Sequence, residues 1–200
     1  EVVDSLRQGF DRSVTRSYHW RRTQLIELRR MLLGNHVAIE DALRQDLGKP
    51  PMETDITELA IVTGEIEHAL SRLKRWMRPR KVRVPLTLAP GRGQVVQEPL
   101  GVVLIIGPWN YPLQLVTGPL IGALAAGNAV IVKPSEVAAA TSALLADLIP
   151  RYLDRRAVAV VEGGPEVTGR LLEQRLDHVF FTGSEPVGRI VAETAAKTLT

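Results

Sequence analysis

The sequence predicts an α/β fold, with N-terminal helices leading into a doubly wound parallel sheet. Three features carry that expectation. Apolar residues recur in steps of three and four through the first third of the chain, the period of a helix with one buried face. After Pro99 the pattern changes to four short runs of β-branched and apolar residues, Val102–Ile106, Ala129–Val132, Ala157–Val161 and His178–Phe181. A helical stretch of about the length a parallel crossover needs separates each run from the next.

The elements follow in order. Leu25, Leu28 and Leu32 mark a helix from about Tyr18 to Gly34, stopped by Gly34 and Asn35. A shorter helix comes next, closed by Gly48 and Pro50. Ile56, Leu59, Val62, Ile66, Leu70 and Leu73 then line one face of a long helix from Thr54 to Trp76, which Pro79 ends. From Pro79 to Pro99 there are four prolines and two glycines among short Val/Leu pairs, a composition for an extended crossing segment or an edge hairpin. Helices are expected around Leu115–Ala126, Val137–Tyr152, Glu166–Arg175 and Val187–Lys197. The resulting division is a helical part over 1–78, a crossing segment over 79–98 and a nucleotide-binding core over 99–200.

Composition excludes several classes of function. With 45% hydrophobic and 24% charged residues the chain can bury a core, so disorder and fibrous repeats are ruled out. The least polar run, Gly118–Val132, is interrupted by Asn128 and is shorter than the roughly 18–20 residues of a membrane span. A net charge of +3 is too small for a nucleic-acid binder unless concentrated. The one dense basic stretch, Arg72 to Arg83, reads as a solvated helix end. No Cys is present, which removes disulfides and thiolate metal sites and fits a cytoplasmic location. The four histidines, His19, His36, His68 and His178, include no pair at the spacing of zinc ligands on one helix, so no metal is expected. Trp20, Trp76 and Trp109 read as core or interface residues, and His178 as packing.

In doubly wound sheets ligands lie beyond the carboxyl ends of the strands, which selects four segments. The first is Ile106-Gly107-Pro108-Trp109-Asn110-Tyr111-Pro112. Its prolines hold Asn110 in one place, either as a rigid amide donor to a developing oxyanion or as an Asx-turn cap for the helix that follows. The second is Lys133-Pro134-Ser135-Glu136, where an ammonium and a carboxylate suit the vicinal hydroxyls of a ribose, or where Ser135 or Glu136 caps a helix. The third, Glu162-Gly163-Gly164-Pro165, permits close backbone approach and starts a helix.

The fourth segment is Thr182-Gly183-Ser184-Glu185-Pro186-Val187-Gly188. Its backbone N–H groups, left unshielded by Gly183 and Gly188, lead into a helix and suit a pyrophosphate. It is neither the usual dinucleotide fingerprint nor a P-loop, because Arg189-Ile190 stands where Lys and a hydroxyl residue would hold phosphates and Mg²⁺. A plain strand-to-helix turn is the alternative.

Taken together and in order, Gly-Pro-Trp-Asn-Tyr-Pro, Ala-Ala-Gly-Asn-Ala-Val-Ile-Val-Lys-Pro-Ser-Glu and Phe-Phe-Thr-Gly-Ser with Val187-Gly188 resemble the aldehyde dehydrogenase superfamily. Glu98-Pro99-Leu100-Gly101-Val102, Leu176-Asp177-His178, Trp76-Met77 and Ala195-Ala196-Lys197 make the resemblance best to its class 3, fatty and aromatic aldehyde branch. It covers nearly the whole chain and is thinnest before Leu43.

The resemblance implies a Rossmann-like NAD(P)-binding domain, incomplete here. Asn110 would be the oxyanion-hole amide, with Trp109 near enough to line a substrate tunnel. Ile106, Gly107, Pro108, Trp109, Gly163, Gly164, Thr182 and Val187 would also line the cofactor site. Lys133, Ser135 and Glu136 would hold the adenine ribose, and Gly183, Ser184 and Gly188 the pyrophosphate. The implied reaction is oxidation of an aldehyde to a carboxylic acid through a Cys thiohemiacetal, with NAD as cofactor, NADP as the second candidate, and a homodimer as the assembly. In that pattern the Cys and the general-base Glu fall beyond Thr200, so the 200 residues alone are expected to be inactive. Two other readings stand beside this one: a non-catalytic dinucleotide-binding or interaction module, and a phosphate-activated semialdehyde reductase. The second of these lacks the Gly-Pro-Trp-Asn-Tyr-Pro match.

Overall fold

The computed structural model describes all 200 residues. Five helical elements come first: α1 (Val2–Asp11), α2 (Tyr18–Gly34), α3 (His36–Leu47), α4 (Pro51–Thr54) and α5 (Ala60–Trp76). A π-helical turn over Asp55–Leu59 joins α4 to α5, so the long helix expected from Thr54 starts a turn earlier and is under-wound at its base. Gly48 closes α3 in the left-handed conformation, φ +67°, which glycine adopts without strain. Two three-residue strands, β1 (Arg80–Val82) and β2 (Gly93–Val95), pair antiparallel, which makes the crossing segment an exposed hairpin.

The core sheet contains β3 (Val102–Ile106), β4 (Ala129–Lys133), β5 (Val158–Val160) and β6 (His178–Phe181), all parallel, in the order β5-β4-β3-β6. Helices α6 (Gln114–Ala126), α7 (Ala139–Tyr152) and α8 (Pro165–Leu172) make the crossovers, and α9 (Glu185–Ala196) follows the last strand. From β3 the chain winds outward through β4 to β5, then returns to place β6 on the other side of β3. The order therefore reverses at β3, the arrangement that opens a crevice beyond the strand ends.

In β3 and β4 the residues are apolar without alternation, save Lys133 at the end, because both faces are covered. Val103, Ile105, Val130, Val132 and Val158 point into a core shared with α2, α3, α5, α6 and α7. Val102, Leu104, Ile106, Ala129 and Ile131 point to the other face, packed by Leu171 and Leu172 of α8 and Val191 of α9. Val3 and Leu6 of α1 close this second core. Helix α1 and a single 3-10 turn over Leu86–Leu88 are not anticipated by the sequence pattern.

Boundaries elsewhere shift by one to three residues: β5 is shorter than its apolar run, α7 begins at Ala139 and α8 ends at Leu172. Pro165 at the first helical position fixes the start of α8, and Glu173 closes it before the expected end. Of the three tryptophans only Trp20 is buried; Trp76 and Trp109 stand about half exposed, and His178 is exposed at the edge. The basic residues from Arg72 to Arg83 are exposed, as expected of a solvated helix end. No helix is long and apolar enough to cross a membrane.

Candidate functional site

Register brings the four strand-end segments to one edge. Ile106 lies opposite both Lys133 and Phe181. The Gly107 N–H donates to the Lys133 carbonyl at 3.0 Å, and the Thr182 N–H donates to the Ile106 carbonyl at 3.1 Å. On the far side the Val161 N–H donates to the Val132 carbonyl at 2.9 Å, which sets Glu162-Gly163-Gly164 beside them. The loops after β3 and β6 thus flank the point where strand order reverses.

Lys133 is among the largest fully enclosed side chains of the protein. Its Nζ donates to the Pro134 carbonyl at 2.7 Å and lies 3.3 Å from Oε2 of Glu136, whose side chain is 45% exposed. The Ser135 hydroxyl accepts from the Val137 N–H at 3.3 Å, a local turn. Neither Ser135 nor Glu136 caps α7. That cap is Asp46 of α3, which accepts from the N–H groups of Ala140 and Thr141. Glu136 is left with its carboxylate at the mouth of the edge, paired only to Lys133.

The Asx-turn alternative for Asn110 fails in a parallel way. The start of α6 is capped by Glu58, whose Oε2 accepts from Leu113 N–H at 3.1 Å and Gln114 N–H at 2.8 Å. Asn110 and Trp109 are exposed on the loop between the strand end and this cap, while Gly107 and Pro112 are buried at its two feet. A Cβ on Gly107 would run into Val116, so only glycine lets the loop leave β3 this close to α6.

At the β6 end, Ser184 takes the N-cap position of α9 in extended conformation without a side-chain hydrogen bond, which leaves the first N–H groups of the helix for a ligand. Phe181 is a site residue that strand-end reasoning missed. Its ring lies beneath both glycines, so a Cβ on Gly183 would collide with it and one on Gly188 would come within 3.3 Å of Cε1. Its apolar position at the last place of a strand was the only signal. Gly163 has φ +136°, where a side chain is strained, and Gly164 is the N-cap of α8.

His36 is the histidine that acquires partners. Its Nε2 lies 2.6 Å from Asp55 Oδ1 and 3.8 Å from Glu40 Oε1. The hydrogen bond to Asp55 raises its pKa above the ordinary value, with the Asp55 and Glu40 charges acting the same way. A search for paired histidines does not find this cluster, which joins one His to two carboxylates from separate helical elements.

The fold and this edge define a doubly wound α/β protein with an amide-bearing loop at the switch point. A family model, the aldehyde dehydrogenase family, matches residues 1–200, and the chain belongs to that family. It is 49% identical over 199 residues to aldehyde dehydrogenase family 3 member H1 of Arabidopsis thaliana, covering 100% of this chain and 41% of that one. Staphylococcus aureus AldH, solved in a substrate-bound state, superposes with a TM-score of 0.97 at 40% identity, over 100% of this chain and 43% of that chain. An aldehyde dehydrogenase of Mycobacterium tuberculosis, complexed with NAD+, superposes with a TM-score of 0.87 at 28% identity, over 99% and 41%. The chain therefore spans about two fifths of the length of the relatives it matches.

Proposed function

We propose that this chain forms the dinucleotide-binding part of an aldehyde dehydrogenase that oxidises an aldehyde to a carboxylic acid. The observation that carries the reading is the meeting of the Lys133–Glu136 pair and the uncapped start of α9 on either side of the Asn110 loop. A buried ammonium beside a half-exposed carboxylate fits a ribose diol, the cation donating and the anion accepting. The α9 N–H groups and the bare backbone at Gly183 and Gly188 fit a pyrophosphate, whose charge the helix dipole also favours. NAD or NADP, when bound, supplies the hydride acceptor.

The protein's own part is to bind and to stabilise charge. Ile106, Gly107, Pro108, Trp109, Gly163, Gly164, Thr182 and Val187 line the crevice around the dinucleotide, and Ser135 holds the turn that presents Glu136. Asn110, exposed at the tip of a loop with two buried feet, donates its amide to the oxyanion that forms when a thiolate attacks the aldehyde carbonyl. The thiolate comes from outside these residues, since the chain contains no Cys, and we place the general base with it. We infer that the 200 residues bind dinucleotide but do not turn over, and that the working protein is a cytoplasmic homodimer.

Calorimetric titration with NAD and NADP tests the reading. Lys133→Met keeps the buried stem and removes the charge, and is expected to weaken NAD binding by about 10–100-fold, on the order of 1.4–2.7 kcal/mol. Absence of dinucleotide binding by the unaltered protein, or binding indifferent to Lys133→Met, overturns it.

A further inference from the structure

The loop that carries Asn110 is held from outside its own sequence neighbourhood. Glu58 lies in the π-helical turn and is fully enclosed, with no accessible surface. Turns of this kind add a residue to the helix and redirect a side chain, and they recur near functional sites. A carboxylate so placed needs every lone pair matched. Glu58 Oε1 accepts from Lys49 Nζ at 2.6 Å, and Oε2 accepts from the N–H groups of Leu113 and Gln114. Lys49, also buried, places its ammonium 3.9 Å from the centroid of the Tyr111 ring.

This one ion pair therefore grips the loop at two places. Lys49 holds the ring next to Asn110 by a cation–π contact, and Glu58 holds the amides where the loop enters α6. The other foot is tied to the sheet by the Gly107 N–H on the Lys133 carbonyl. A buried ion pair is a poor device for stability alone, because apolar side chains of the same volume do as well or better. What it adds is fixed geometry. Oxyanion stabilisation depends on that property, since a donor displaced by about 1 Å loses on the order of a hundredfold in rate.

We propose that Glu58, with Lys49 as its counter-ion, is a positioning residue that preorganises Asn110. The proposal rests on the reading of Asn110 as the oxyanion donor. It assigns to the N-terminal helices a part in the chemistry: they set the orientation of an amide that lies more than fifty residues downstream, as the separation of 55 residues between Glu58 and Leu113 shows.

The test uses the full-length enzyme that carries these residues, and compares it with its Glu58→Leu variant, with the double variant Lys49→Met/Glu58→Leu, and with Asn110→Ala. The double variant also removes the ammonium that Glu58→Leu leaves unpaired, which keeps the test open where the single variant does not fold. Amide hydrogen exchange reads the loop directly, kcat reads its consequence, and NAD titration reads the rest of the site. Both Glu58 variants are expected to exchange the Leu113 and Gln114 amides at least about tenfold faster. They should lower kcat by about 10–100-fold while NAD affinity changes by less than about twofold. A double variant with unaltered loop exchange and unaltered kcat overturns the proposal, because packing alone then suffices. A uniform rise in exchange across the sheet, with NAD affinity falling alongside kcat, also overturns it, since the pair is then merely structural. If Asn110→Ala leaves kcat unchanged, the oxyanion reading is what fails, and loop exchange alone decides whether Glu58 positions the loop.

Discussion

Asp46, in the last turn of α3, caps α7 across the molecule: one carboxylate oxygen accepts the N–H of Thr141 at 2.8 Å and the other that of Ala140 at 2.9 Å. The residue at the N-cap itself, Ala138, has no side-chain acceptor to offer. Asp46→Ala leaves those amides without a partner and is expected to cost about 1–2 kcal/mol, the range of a lost helix cap. Asp46→Asn keeps one acceptor oxygen and should cost less. Urea denaturation of the two variants checks the order, and an equal loss in both contradicts the capping account.

Glu136 bears on the choice of dinucleotide. A carboxylate that accepts from a ribose hydroxyl also repels a 2′-phosphate, so Glu136→Gln is expected to tighten NADP binding by about 3–10-fold and to weaken NAD binding slightly. Titration with both cofactors distinguishes this from a general loss of binding. If both affinities move together, the carboxylate does not face the 2′ position.

Asp154 sets an acid limit. Hydrogen bonds from the Arg156 side chain, then from Trp20 Nε1 at 3.0 Å and the Arg156 backbone, hold its pKa at about 2 against burial, which acts in the opposite sense. A depressed carboxylate stabilises the fold above its ordinary pKa near 3.8, and that contribution is lost as pH falls through about 2. Asp154→Asn should therefore lower stability at pH 7 by about 1 kcal/mol, a figure reduced for the exposed guanidinium. Below pH 3 the melting curves of variant and parent should approach each other; a constant gap refutes the assignment.

The His36–Asp55 pair has the opposite sign. Because the folded pKa of His36 is raised, its contribution is complete below the ordinary histidine value of 6.5 and is lost as pH rises through the folded value. Asp55→Asn is expected to flatten the fall in melting temperature above pH 6.5 and to matter less at higher pH. A fall of the same size in the variant assigns that pH dependence to another group.

Much of the sheet was legible in the sequence because strands buried on both faces must be continuously apolar, and glycine or proline punctuates each of them. The β3 and β6 runs match their expected bounds, and the ligand edge follows from where such strands end. Helix α1 was harder: Val3, Leu6 and Phe10 do step by three and four, but ten residues with so few apolar positions give a weak periodic signal. The helix caps were beyond local reading. Asn110, Ser135 and Glu136 stood in the right places to cap their own helices, yet the caps arrive from Glu58 and Asp46, separated in sequence by 55 and 95 residues from Leu113 and Thr141. Propensity identifies a residue able to cap, whereas only tertiary packing decides whether a better-placed carboxylate already fills the position. The same holds for Phe181, whose role beneath Gly183 depends on which way a terminal strand residue turns.

The exposed hairpin over Arg80–Val95 is where the chain passes from helices to sheet, and few of its side chains are buried. On either side of it, Glu58 meets Leu113, Asp46 meets Thr141, Trp20 meets Asp154 and Arg7 meets Asp177. Cleavage of the hairpin would break the covalent thread while leaving these bonds and the shared cores in place. The two pieces should then remain together as a non-covalent pair through gel filtration, and co-expression of the halves as separate polypeptides should reconstitute the same particle.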